Sequence, residues 1–202
     1  PAARRAAVAS ASPAQLRDAS WLVPELVQLC RTQVQQALDT YRRALHAGLK
    51  LRDMPAEDCR QLFTALVTSA VRVGQAAEAL SLLRDLQEQG PGVSAGLLAS
   101  AAKLCTSKQY FAECLAMYDL VAKDKAFVIE DRTVWSCLLF CAVEARSSQR
   151  CSFFFQRLKA SGRPSPKDYG NMIRHAAAGG GWELALSLVR EMREAGVEVD
   201  SI

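Results

Sequence analysis

Apolar residues recur along this chain at helical spacing, in pairs of stripes separated by a turn signal. Between Arg60 and Ser94, Phe63, Leu66, Val67, Ala70 and Val71 form one stripe; Gly74 interrupts it; Ala79, Leu80, Leu83 and Leu86 form a second before Gly90. Spacing of three and four residues places each stripe on one helix face, so the unit is predicted to be helix, tight turn, helix. The segment Tyr169, Met172, Ile173, Ala176, then Gly179-Gly180-Gly181, then Leu184, Ala185, Leu188, Val189 and Met192 repeats the pattern. Those three glycines follow a helix and not a strand, so they read as a turn and not as a phosphate cradle.

The pattern is periodic. Ala37-Leu38, Ala79-Leu80, Cys114-Leu115, Cys151-Ser152 and Ala185-Leu186 stand at steps of 42, 35, 37 and 34 residues, the differences between 37, 79, 114, 151 and 185. Gly48, Gly90, Gly162 and Gly196 follow such pairs near the expected end of each second helix, and Lys125 holds that place in the middle unit. The long first step points to a loop insertion from Arg52 to Cys59, marked by Pro55 and several charges. A period of about 35 residues means units that cannot bury their apolar faces alone and must stack on their neighbours. The expected fold is therefore all-α: an α-solenoid, a right-handed superhelix of about five helical hairpins at 18–59, 60–94, 95–131, 132–165 and 166–200, with 201–202 opening a further unit.

Composition narrows the function classes. Half of the residues are hydrophobic but only 7% are aromatic, which suits closely approaching helices. The net charge of +4 permits a polyanionic partner without demanding one. No apolar run approaches the roughly 18 residues of a spanning helix, so no membrane partner is expected. Residues 1–17 are rich in Ala, Ser and Arg, with the first acid at Asp18; they read equally as a disordered linker or as the remnant of an organellar transit peptide. A chain beginning without Met and stopping where another unit would start reads as a fragment of a longer protein.

Seven cysteines occur without a Cys-x-x-Cys pair, and Cys105, Cys114, Cys137, Cys141 and Cys151 fall where the repeat wants small or apolar residues. They are expected to be buried thiols; Cys137 and Cys141, four apart on a helix, are the one arrangement that invites a metal, and no histidine stands near them. The two histidines, His46 and His175, lack the carboxylate and cysteine set that a hydrolase or zinc deaminase needs. No enzyme activity and no cofactor are expected. Phe153-Phe154-Phe155 is expected to bury two rings and leave one partly exposed.

The residues of the repeat resemble the pentatricopeptide repeat family. Tyr169, Met172, Ile173, Gly180, Ala185-Leu186, Met192, Gly196 and Asp200 carry the resemblance best. Phe63, Leu66, Val67, Gly74, Glu78-Ala79-Leu80, Leu86 and Gly90 carry it nearly as well. Tetratricopeptide repeats are the nearest rival; they would place small residues where Val67, Leu139 and Ile173, and later Leu86, Leu158 and Met192, stand. The resemblance implies single-stranded RNA binding along the first helices, one base per unit, in a mitochondrion or chloroplast. In the family the fifth and last residues of each unit choose the base. Here the pairs would be Thr64 with Ser94, Ala99 with Asp131, Ser136 with Ser165, and Gly170 with Asp200. Ala99 and Gly170 offer no side-chain donor, so weak selectivity is expected. Arg60, Arg72, Lys103, Lys108, Arg132, Arg146, Lys167 and Arg174 are candidates to flank a phosphate track. The alternative partner is protein: a scaffold that grips a protein segment, as a tetratricopeptide-like solenoid would, or that packs into a larger organellar RNA–protein assembly such as a ribosome.

Overall fold

A computed structural model describes residues 8–197. Its α-helices, in chain order, are α1 (Pro13–Arg17), α2 (Ala19–Thr32), α3 (Val34–His46), α4 (Ala56–Arg72), α5 (Ala76–Gln89), α6 (Ala95–Lys108), α7 (Phe111–Val121), α8 (Arg132–Glu144), α9 (Ser148–Ala160), α10 (Pro166–Ala178) and α11 (Trp182–Glu194). From α2 onward they form five hairpins, each with a first helix (A) and a second (B). No strand occurs among the described residues. A-helices pack on A-helices at every seam: α2 on α4, α4 on α6, α6 on α8 and α8 on α10. B-helices pack on their own A-helix, and α3, α7 and α9 also on the A-helix that follows; α5 instead makes the one extensive contact between B-helices among the described residues, with α7. Closer approach in the A layer than in the B layer puts the A-helices on the inner side of an all-α solenoid.

The core runs through the seams. A B-helix side chain meets the next A-helix at a recurring register: Tyr41 on Phe63 with ring centroids 5.6 Å apart, Tyr118 on Trp135 at 5.9 Å, and Phe155 on Tyr169 at 5.3 Å. Leu83 and Leu98 hold the corresponding places of hairpins two and three, and both are buried. Edge-on ring pairs add roughly 0.5–1.5 kcal/mol beyond the area they bury. Ion pairs reinforce most seams: Arg42 with Glu78 at 2.5 Å, Asp119 with Arg150 at 2.6 Å, Glu144 with Arg174 at 2.7 Å, and Lys159 with Glu191 at 3.3 Å.

Local chemistry sets the helix ends. Ser94, Asp131 and Ser165 cap α6, α8 and α10, each accepting a backbone N–H with its side-chain oxygen. Ser165 and Asp168 complete a reciprocal capping box. At the turn between A and B helices one residue takes a left-handed conformation: Gly74 (φ 88°), Gln109 (φ 64°), Arg146 (φ 54°) and Gly180 (φ 75°). Glycine carries this at no steric cost; Gln109 and Arg146 do not.

Two expectations require correction. Arg52 to Cys59 is not a loop insertion: Leu51–Asp53 is a 3₁₀ turn, and Ala56 to Cys59 form the first turn of α4, with Cys59 fully buried. Pro55 misled because it sits at the N-cap, just outside that helix, where a missing N–H costs nothing. A unit boundary between 59 and 60 therefore cuts α4. Residues 8–17 are not a free linker: Val8, Ala11 and Leu16 are buried, and α1 packs on both α2 and α3. At the end of α5, Gly90 is the C-cap in an extended conformation (φ −114°, ψ −161°), and the left-handed residue is Gly92. A Cβ at Gly90 would stand 2.8 Å from the Leu86 carbonyl oxygen, so close approach is what demands glycine there.

Candidate nucleic-acid interface

The buried A-helix positions fix the register of the candidate base-reading residues. Phe63, Leu98, Trp135 and Tyr169 are equivalent core positions, and each is followed directly by a candidate: Thr64, Ala99, Ser136 and Gly170. All four are half-buried and fall in one row, one per A-helix. Thr64 keeps this register because the extra turn of α4 lies on its N-terminal side. A Cβ at Gly170 would meet nothing within 4 Å, so the inner face of α10 is open down to the backbone.

The partner positions are placed differently. Ser94, Asp131 and Ser165 lie near the same edge of the A layer as helix caps, and their oxygens are engaged. Ser94 Oγ accepts from Leu97 N at 3.2 Å, Asp131 Oδ1 from Thr133 N at 2.8 Å, and Ser165 Oγ from Asp168 N at 3.2 Å. Asp131 also pairs with Lys103 at 2.9 Å. Asp200 lies outside the described residues.

One turn beyond the candidate row stands a second row: Thr68, Lys103, Phe140 and Arg174. Sequence reasoning singled out its two cations and missed Phe140 and the adjoining Asn171. The Phe140 ring lies under two cations, with Lys167 Nζ 5.7 Å and the Arg174 guanidinium 6.0 Å from its centroid. Arg174 also bonds Glu144 and Asn171. Lys167, Gly170, Asn171 and Arg174 form the polar side of a cavity of about 900 Å³, and Ile173, Ala177 and Met192 form its apolar side. Phe140 lies beside this cavity and not in its lining, packed edge-on against Phe111 with centroids 5.6 Å apart; the cations and the open backbone position suit an anionic ligand segment.

The remaining track candidates are partly committed inside the protein. Lys103 and Arg174 are paired with carboxylates, Arg60 pairs with Glu57, and Arg132 donates to the Arg163 carbonyl. Arg72 lines a second cavity with Arg31 and Thr68, while Lys108, Arg146 and Lys167 are exposed.

Cys105, Cys114 and Cys141 are buried and Cys137 is half-buried. Hydrogen bonding to Cys141, together with burial, pushes the Cys114 thiol well up; burial lifts Cys105 to about 12. Thr106 Oγ1 lies 3.5 Å from the Cys141 sulfur, and the Cys105 thiol faces the Met117 sulfur at 3.9 Å. Among the described residues no group of three or more His, Cys, Asp or Glu is placed to hold a metal ion. His46 and His175 sit in hairpins one and five, bonded to the Arg42 carbonyl and the Ser148 hydroxyl. Phe154 and Phe155 are buried and Phe153 is 45% exposed. No helix of the described residues is long and apolar enough to cross a membrane.

A family model of the tetratricopeptide repeat matches residues 30–125, and one of the pentatricopeptide repeat matches residues 168–197. The second match is the hairpin in which the resemblance is strongest. Over hairpins one to three the match is to the pattern that sequence reasoning ranked second. Small buried residues there, Ala37, Ala70, Ala79, Ala101 and Ala102, meet the close-approach requirement that both families share. No curated protein matches the chain. The chain is thus an all-α helical-repeat protein, similar to tetratricopeptide repeats over residues 30–125 and to a pentatricopeptide repeat over hairpin five.

Proposed function

We propose that the protein binds single-stranded RNA along the exposed face of its A-helices, with weak base selectivity, as part of organellar RNA metabolism. The observation that carries this reading is the surface of hairpins four and five, where Lys167 and Arg174 stand over Phe140 beside the open backbone of Gly170. Half-buried Ser136 adds a hydrogen-bonding group to that surface. Selectivity is weak because Ala99 and Gly170 present no donor and the capping oxygens are already engaged. Binding depends on Arg174 at this surface, and Lys103 further along the A layer, leaving their internal carboxylates Glu144 and Asp131, which costs part of the phosphate attraction.

Cross-linking of the protein to 4-thiouridine-substituted single-stranded RNA, mapped by mass spectrometry, tests the reading. Cross-linked peptides are expected from α8 and α10; cross-links confined to B-helices would count against it.

A protein scaffold is the second reading. The pairing of Lys103 and Arg174 with internal carboxylates favours it, because a surface whose charges are mutually neutralised suits a mixed protein partner better than a polyanion.

A further inference from the structure

Hairpins one and two hold a pair of cations that the protein leaves unmatched. A cavity of about 430 Å³ lies between α2 and α4, with Cys30 and Arg31 on its α2 side and Thr68, Ser69 and Arg72 on its α4 side. Arg31 and Arg72 are exposed, and neither forms an ion pair or hydrogen bond with any described residue. No carboxylate lines the cavity. Hairpin four shows the contrast. Arg72 follows the core residue Phe63, and Glu144 follows the equivalent Trp135, by the same nine residues. The position that supplies a carboxylate to Arg174 in α8 therefore supplies a second cation in α4.

The neutral groups of the cavity add a donor. Ser69 is 5% exposed, and its hydroxyl meets only the Cys30 thiol, whereas Thr68 donates its proton to the Thr64 carbonyl. A thiol is a weak partner, so a stronger acceptor entering the cavity takes the Ser69 proton. Burial raises Cys30 to about 11, so its sulfur carries no negative charge at pH 7.

We propose that this cavity binds a phosphomonoester, with Arg31 and Arg72 gripping its oxygens and the Ser69 hydroxyl donating to it. Two guanidinium groups match the charge of about −1.5 to −2 that such a group carries at pH 7. An internal phosphodiester or a carboxylate, each with a single charge, leaves one cation unmatched. Val27, Val34 and Val73 provide apolar wall for the attached sugar or base. The phosphate comes either from the 5′ end of an RNA strand lying on the A layer, which rests on the RNA reading above, or from a free mononucleotide.

The test pairs two probes with their unphosphorylated counterparts on the full chain. Adenosine 5′-monophosphate is compared with adenosine by calorimetry, and one labelled single-stranded RNA is compared with and without its 5′-phosphate by anisotropy. In at least one pair the phosphorylated probe is expected to bind about tenfold more tightly or better. A preference confined to RNA assigns the site to a strand end, and one confined to the mononucleotide assigns it to a free nucleotide. Arg31→Gln and Arg72→Gln should each erase the preference, while Arg84→Gln, an exposed cation on α5, should keep it. Both cavity arginines are exposed and unpartnered, so thermal unfolding of their variants should match the parent. Equal binding within both pairs, or a preference that survives both cavity variants, would overturn the proposal. RNA binding without a preference in either pair would remove this site and leave the RNA reading standing; a preference for the mononucleotide without RNA binding would do the reverse.

Discussion

The ring of Phe155 meets the ring of Tyr169 edge-on, with planes at 78° and centroids 5.3 Å apart, and this contact joins hairpin four to hairpin five. Around it Tyr169 donates to Glu191 at 3.1 Å, Glu191 pairs with Lys159, and the Lys159 ammonium lies 5.1 Å from the Phe155 centroid. Replacing Phe155 with Ala removes a buried ring and leaves a cavity at the seam, for a cost of roughly 3–5 kcal/mol. Hydrogen exchange in urea should show α10 and α11 opening well before α4 and α5. In a solenoid the damage stays with the nearest neighbours.

Arg146 occupies the left-handed turn position that Gly74 and Gly180 fill in other hairpins. Arg146→Gly relieves the steric cost of its side chain, offset in part by the larger entropy of an unfolded glycine. Its exposed side chain contributes little else. A net gain of about 1 kcal/mol is expected in urea unfolding. Gly74→Arg should cost a comparable amount.

Asp131 links helix capping to a seam. Its carboxyl is held below the ordinary carboxylate range by Lys103 and then by its bonds to Thr133. A folded value below the unfolded one means stabilisation that is complete above the unfolded value and lost as pH falls through the folded value. The pair is exposed to solvent, so screening holds the charge contribution to a few tenths of a kcal/mol. Asp131→Asn, which can still cap, should lose only that increment and flatten the stability profile below about pH 4. Asp131→Ala should lose about 1 kcal/mol more with the cap.

Gly170 separates fold from function. It lies inside α10 with free space where a Cβ would go, so Gly170→Ala should stabilise the helix by about 0.5–1 kcal/mol. If RNA approaches the backbone there, the same methyl should weaken RNA binding. Thermal unfolding and RNA titration of one variant would therefore move in opposite directions.

The apolar stripes made the hairpins legible in the sequence, because burial at every third or fourth position follows from helix geometry alone. The extra turn of α4 was hidden by Pro55 and charged neighbours, which read as loop although they surround an N-cap. The capping role of Ser94, Asp131 and Ser165 was equally hidden: the residue types that begin helices are also those that read bases. Nothing in the sequence sets Phe140 apart from a core ring; its half-buried ring packs edge-on against Phe111 of α7 and lies beneath Lys167 and Arg174. The packing of residues 8–17 depends on long-range contacts, such as Arg43 with Val8 and Ala11, that local composition does not encode.

The most direct test of RNA binding is fluorescence anisotropy of the purified chain with labelled single-stranded RNA pools at two salt concentrations, with duplex RNA as control. The expected result is saturable binding that weakens as salt rises, excludes duplex, and falls when Lys167 and Arg174 are both changed to Gln. Absence of binding at low salt, or equal binding by that double variant, would contradict the RNA reading and leave the protein scaffold as the function of the A-helix face.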